Sequence, residues 1–291
     1  MLLRLALALL WLLHWLPLTA LSRVGALLGS LAFTFIHDRR RVTLINLKLC
    51  FPHWTEEQRV IVAKQHFQAF MTSILAQGVG WYASLPRLRR LVQFEGKEHL
   101  DQALAQGPVI LMTPHFFGVD TIGIYLSADI RTITINTRHK NATLDEVILR
   151  HRSRWNGATV FSRQDGIRAV LRAFKPGWAL YYLPDQDFGP KESIFVDFFG
   201  IPTATVPALP RLARLSGARI VPCVVHQEFD RGRYRVCFYP SWEAFPGPDE
   251  REDTVRMNHF IEARVLEQPA RYLWSHKRFK TRPPGEPSPY A

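Results

Sequence analysis

The sequence predicts an α/β fold: a central, mostly parallel sheet flanked by helices, behind an N-terminal apolar membrane-anchor helix or hairpin. Three observations lead there. Six short runs rich in β-branched or aromatic residues, bounded by Gly, Pro or polar positions, recur from Pro108 onward. Helix-length stretches separate them, and strands alternating with helices give a sheet covered on both faces. At 291 residues, 47% hydrophobic and 21% charged, the chain can bury a sizeable core and is neither disordered nor polytopic in composition.

Taken in order, Met1 to Trp15 is apolar with Arg4 as its only fixed charge, and Val24 to Ile36 repeats the pattern before Asp38-Arg39-Arg40-Arg41. Neither run alone reaches the roughly 20 residues of a spanning helix. Pro17, Ser22 and Arg23 interrupt them, so one imperfect span, a shallow hairpin and an interfacial anchor all fit. Trp11 and Trp15 suit a headgroup boundary. A cleaved signal peptide shares the basic, apolar and small-residue regions of this segment. The second apolar run and the Arg triplet favour a retained anchor over residues 1–40, leaving 41–291 as one domain. Thr55 is an N-cap for a helix reaching the Gln65–Gln77 region. Strands are expected at Pro108–Thr113, Thr132–Ile135, Thr159–Phe161, Trp178–Leu183, Arg219–Val225 and Tyr234–Tyr239. Helices are expected near Val119–Leu126, Leu144–Trp155, Ile167–Phe174, Ala204–Leu215 and Thr254–Glu267, with an extended Pro-rich tail from Arg282.

The chemistry concentrates in Thr113-Pro114-His115-Phe116-Phe117-Gly118-Val119-Asp120. A histidine stands where a buried strand ends, the edge at which open α/β sheets bind ligands. A carboxylate follows five residues later. Imidazole is the side chain suited to proton removal near neutral pH, and a carboxylate on one ring nitrogen leaves the other free as base. Gly-x-Ser-x-Gly, HExxH, Walker and GxGxxG motifs are absent, and no serine or cysteine stands beside His115 in sequence. The dyad therefore predicts direct attack by a substrate hydroxyl. Asp185 and Asp187, in Pro184-Asp-Gln-Asp-Phe-Gly189, are two residues apart; they read as organisers of an acceptor site or of nearby arginines, with a metal site or an ordinary turn as the lesser alternatives. Cys50, Cys223 and Cys237 are scattered and form no CxxC pair, against a disulfide scaffold or structural zinc.

His115-x4-Asp120, Leu183-Pro-Asp-Gln-Asp-Phe-Gly189 and Phe195-Val-Asp-Phe-Phe-Gly200 together resemble the late acyltransferases of lipid A biosynthesis, the Kdo-lipid A lauroyl/myristoyl type related to glycerolipid acyltransferases. The resemblance continues through Arg138-x-x-Asn141, Arg163-x-Asp165, Ala213-Arg-Leu-Ser-Gly217 and Trp274-Ser-His-Lys-Arg-Phe-Lys-Thr-Arg-Pro283, so it covers nearly the whole chain. Asp120 replaces the Glu of many members, and Pro114 precedes the histidine where glycerol-phosphate acyltransferases tend to have Asn.

The resemblance implies transfer of a fatty acyl chain from acyl carrier protein thioester to a hydroxyl of a lipid A precursor, at the cytoplasmic face of the bacterial inner membrane and with no cofactor or metal. His115 would be the base, Asp120 its orienting partner, and Arg163 the leading donor to the oxyanion, ahead of Arg138 and backbone N–H groups near Gly118. Arg138, Asn141, Asp185, Asp187, Phe117 and Gly118 would contact substrate, with Phe116, Phe117, Phe198 and Phe199 as acyl-pocket walls. A net charge of +12 suits these partners: phosphorylated lipid, anionic inner-membrane lipid and an acidic carrier protein. Between Arg131 and Arg172, nine Lys or Arg stand against three acids, and Lys277, Arg278, Lys280 and Arg282 form a second cluster. No nucleic-acid-binding motif accompanies the charge, which argues against such a partner. Transfer to a glycerolipid or other hydroxylated lipid, or a non-catalytic basic membrane or nucleic-acid binder, are the competing expectations.

Overall fold

The computed structural model describes residues 2–139 and 141–291, with the side chains of Leu2 and Arg163 outside the description. Pro17 separates helices α1 (Leu2–Leu13) and α2 (Leu18–Phe35), and α3 (His37–Cys50) follows at once. The long α4 (Glu56–Tyr82) starts at a capping box. Thr55 Oγ1 accepts from the Gln58 N–H at 3.2 Å, and the Thr55 N–H donates to Gln58 Oε1 at 2.8 Å. The chain continues through α5 (Leu85–Leu91), β1 (Val92–Glu95), α6 (Lys97–Gln106), β2 (Val109–Met112), α7 (Val119–Leu126), β3 (Arg131–Asn136), α8 (Ala142–Arg152) and β4 (Ala158–Ser162). After α9 (Ile167–Ala173) come β5 (Trp178–Tyr182), β6 (Ile194–Phe198), β7 (Ile201–Thr205), α10 (Ala208–Ser216), β8 (Arg219–Glu228), β9 (Arg233–Phe238) and α11 (Glu250–Glu267).

Seven strands form one sheet in the order β1-β9-β8-β2-β5-β3-β4, and β6 and β7 form a separate antiparallel hairpin. Every pairing in the large sheet is parallel except β8 with β9. The side-chain period of two explains the fully apolar β2. Val109 and Leu111 pack with α2, α4 and α7, while Ile110 and Met112 pack on the other face with α3, α10 and α11. The anticipated mostly parallel sheet is present, as are all six anticipated strands.

The differences have local causes. The helix expected from Ala204 starts at Ala208, because Ala204 and Thr205 pair with β6 and Pro207 is its N-cap. Strand β1 has four residues and alternating burial, too short to signal itself. Expected to run extended, the tail from Arg282 folds back: Tyr290 is buried, and its hydroxyl donates to Asn46 Oδ1.

The first two helices pack on α4. Gly25 and Gly29 let α2 approach the backbones of Thr72 and Gln68, and Gly78 of α4 lies against Leu10 O. A Cβ on Gly29 would come within 2.3 Å of Gln68 Cα. The outer side stays apolar and exposed, with Leu5, Leu9, Leu12, Leu27, Leu31 and Phe35 prominent. By length and composition α2 is, among the described residues, the one helix able to cross a membrane.

Candidate active site

Strands β2 and β5 are parallel neighbours with Met112 opposite Tyr182, and both chains leave the sheet in the same way. The Thr113 N–H donates to Tyr182 O at 2.8 Å, after which Pro114 and Pro184, lacking N–H groups, end the ladder. Three residues beyond the register pair stand His115 and Asp185. His115 Nδ1 lies 2.6 Å from Asp185 Oδ1, and the His115 backbone N–H donates to Asp185 Oδ2 at 3.0 Å. The carboxylate side chain is 1% exposed and the imidazole 20%. Burial would raise the Asp185 carboxyl, but the charge and hydrogen bonds of His115, with Arg278 beyond, outweigh it and hold the pKa below the usual carboxylate range. An ionised Asp185 fixes the proton on Nδ1, so Nε2 carries the lone pair. Gln186 Nε2 lies 3.1 Å from it.

His115 and Gln186 line a cavity of about 920 Å³. It runs across the carboxyl ends of β3 and β5 between α7, α9 and α10. Ile124, Ile135, Val170, Leu212 and Leu215 are among its apolar walls, and Arg138, Arg152 and Lys191 among its cations.

The anticipated bond between Asp120 and the imidazole is not made. Asp120 lies in the first turn of α7, after the left-handed Gly118 (φ 94°), and its carboxylate faces α4 and α8 instead. Its Oδ1 accepts from both Arg152 Nε at 2.9 Å and Nη2 at 2.6 Å, so one carboxylate oxygen sits between two guanidinium donors. Its Oδ2 accepts from Gln77 Nε2 at 2.7 Å, and Arg152 Nη1 donates to Asn136 Oδ1 at 2.7 Å. Asp120 still lines the cavity, as part of a charged wall beside the histidine.

The other expected site residues divide. Arg138 is exposed on the cavity rim, whereas Asn141 caps α8 by accepting from the Leu144 N–H at 3.1 Å. Arg163 begins a 3₁₀ turn, Arg163–Asp165, and its side chain is outside the description, as is Lys140. Asp187 accepts from Thr281 N and Oγ1, both at 2.9 Å, and from Gly189 N at 2.8 Å, so it fastens its loop to the C-terminal segment. Gly118 has a conformational reason: a Cβ there would reach Tyr234 Cε1 at 2.9 Å. The phenylalanines anticipated as pocket walls lie elsewhere. Phe117 packs on His66 and Phe70, while Phe116 and Phe198 fill the core and Phe199 packs against it. Aliphatic residues of α7, α9 and α10 take the place expected of them. In the C-terminal cluster Trp274 and Phe279 are core, and buried Arg278 donates to Ala204 O at 2.9 Å and Thr205 Oγ1 at 3.0 Å.

Gln77, Asn136, Arg152 and Gln186 were not singled out from sequence as site residues. The matched Thr-Pro-His and Leu-Pro-Asp endings of two strands are the sequence signal that would have paired His115 with Asp185.

Residues 1–281 match the family model of the bacterial lipid A biosynthesis acyltransferase. The chain belongs to this family. Among lipid A biosynthesis acyltransferases it is 32% identical over 286 residues to the palmitoleoyltransferase of Escherichia coli (strain K12), covering 98% of this chain and 92% of that one. With the lauroyltransferase of the same organism the identity is 32% over 289 residues, covering 98% and 94%. A Haemophilus influenzae lipid A biosynthesis acyltransferase shares 36% over 244 residues, covering 83% and 76%. The solved 1-acyl-sn-glycerophosphate acyltransferase of Thermotoga maritima overlays with a TM-score of 0.40 at 13% identity, over 84% of this chain and 97% of that one. As a member of the family this chain is an acyltransferase.

Proposed function

We propose that this acyltransferase moves a fatty acyl chain from acyl carrier protein thioester to a hydroxyl of a lipid A precursor, without a covalent enzyme intermediate. The observation that carries the reading is the His115–Asp185 pair opening on a largely apolar cavity. His115 Nε2 takes the proton of the acceptor hydroxyl as that oxygen attacks the thioester carbonyl carbon. The tetrahedral adduct then expels the thiolate, which recovers the proton from Nε2, leaving an ester and a free thiol. Asp185 holds the imidazole and balances the imidazolium while it exists. Positioned base catalysis of this kind is worth about 10²–10⁴-fold. His115 bonds Asp185 and Gln186 rather than a nucleophilic side chain, and all three cysteines are buried away from the cavity lining.

The acyl chain is accommodated by the aliphatic walls, and the phosphates of the acceptor by Arg138 and Lys191 at the rim. Residues 1–40 act as the membrane anchor and 41–291 as the acyltransferase domain. The exposed apolar side of α1 and α2 supports that seat, and Arg39-Arg40-Arg41 supports a cytoplasmic location in the inner membrane beside anionic lipid. Similar proteins named for palmitoleoyl and lauroyl transfer in lipid A biosynthesis support the acceptor class.

Purified full-length protein given acyl carrier protein thioester and lipid A precursor should form the acylated product, and His115→Ala should lower turnover by about 10²–10⁴-fold with the fold intact. Full turnover by the alanine variant would refute the base assignment; preference for a lysophospholipid acceptor would refute the substrate assignment.

A further inference from the structure

We infer that Gln186 is a catalytic residue whose side-chain amide donates a hydrogen bond to the acyl oxygen as that oxygen takes up negative charge. The inference rests on the reading of His115 as base.

Gln186 is pinned by its neighbours. Asp185 is buried under His115, and Asp187 is clamped by Thr281 and Gly189, so the backbone of the residue between them has little freedom. Its side chain reaches the cavity and sets Nε2 3.1 Å from His115 Nε2. The direction of that bond follows from Asp185. With the ring proton held on Nδ1, Nε2 offers only a lone pair, so the group facing it must donate. An amide N–H therefore occupies the spot that the acceptor hydroxyl must take.

Binding of that hydroxyl displaces the amide from its place on His115 Nε2. The carbonyl under attack lies roughly 3–3.5 Å from the hydroxyl oxygen in a reactive arrangement, so the displaced donor and the carbonyl oxygen share one shell around Nε2. An oxyanion needs a donor at roughly 2.7–3.1 Å. Arg152, the cation beside the dyad, spends Nε and Nη2 on Asp120 and Nη1 on Asn136. Gln186 instead releases its single contact as the acceptor hydroxyl arrives. In the resting protein it satisfies the base; in the reacting complex it is free to meet the developing charge.

The test is steady-state kinetics of full-length Gln186→Ala and Gln186→Glu, with His115→Ala and thermal melting measured in parallel. Gln186→Ala is expected to lower kcat by about 10²–10³-fold, with KM for both substrates and the melting curve near wild type. Gln186→Glu keeps the side-chain length but cannot donate when ionised, and should fall at least as far. If the amide merely caps the imidazole, Gln186→Ala will turn over as fast as wild type or faster; that result, or an effect on KM alone, overturns the inference. An active His115→Ala would instead remove the base reading beneath it. Should Gln186→Ala melt early, Gln186→Glu carries the decision: wild-type kcat there also overturns the inference.

Discussion

Replacing Asp185 with Asn removes the charge beneath His115 while keeping the size of the side chain. The carboxylate accepts two bonds at once, from the imidazole Nδ1 at 2.6 Å and from the His115 backbone N–H at 3.0 Å. An amide has one oxygen for these two donors. If the oxygen stays with the backbone N–H, the amide NH₂ faces Nδ1, the ring proton moves to Nε2, and the base loses its lone pair. If it faces the ring, the backbone N–H is orphaned and the imidazolium loses its counter-charge. A triad carboxylate changed in this way costs about 10⁴-fold in serine proteases. Here a loss of about 10³–10⁴ in kcat, or roughly 4–5.5 kcal/mol, is expected. Asp120→Asn makes the comparison informative, because Asp120 holds Arg152 and Gln77 instead of the imidazole. Its loss should be about 1.5–3 kcal/mol in kcat/KM, the worth of charge-assisted bonds. Both variants are assayed over donor and acceptor concentrations from well below KM to saturation, with thermal melting as the folding control. Wild-type turnover by Asp185→Asn, with Asp120→Asn the more damaged of the two, would refute the assignment.

Three further outcomes follow from the packing. Gly29→Leu drives a side chain into the backbone of Gln68 and the carbonyl of Phe67, so it should cost about 1–3 kcal/mol and lower the melting temperature by several degrees; an unchanged melt would mean that α2 does not pack on α4 there. Asn46→Ala orphans Trp274 O and His276 O, which Asn46 Nδ2 meets at 2.7 and 2.8 Å, and the Tyr290 hydroxyl; about 1–3 kcal/mol per uncompensated group is expected in denaturant unfolding, and a loss below 1 kcal/mol would contradict the buried network. Burial lowers the pKa of His66 to about 3 and, with Arg235, that of His226 to about 4, both from 6.5. The unfolded chain therefore takes up these protons first: their contribution to stability is full above pH 6.5 and lost as pH falls toward 4, by about 1.4 kcal/mol per pH unit for each histidine. Melting temperatures that stay level from pH 7 to 5 would contradict this.

The sheet was legible because its central strands are buried on both faces and so appear as continuous apolar runs. The hairpin was not: β7 carries Pro202, which demotes a strand reading, and β6 and β7 have no further strand to pair with. His115 was legible from its place at a strand end. Its partner was obscured by spacing: Asp120 lies five residues away and Asp185 seventy, and only the β2–β5 pairing brings the distant one closer. Local sequence cannot give strand order. Likewise local sequence does not separate a pocket wall from core: the Phe116 and Phe117 rings are taken up by Tyr272, His66 and Phe70.

A solved complex with the hydroxylated acceptor tests the central claim most directly. The acceptor oxygen should lie roughly 2.6–3.2 Å from His115 Nε2, with Asp185 on Nδ1 and the Gln186 amide displaced from the ring. An acceptor hydroxyl bound out of reach of His115, or an imidazole turned to Asp120, would contradict it.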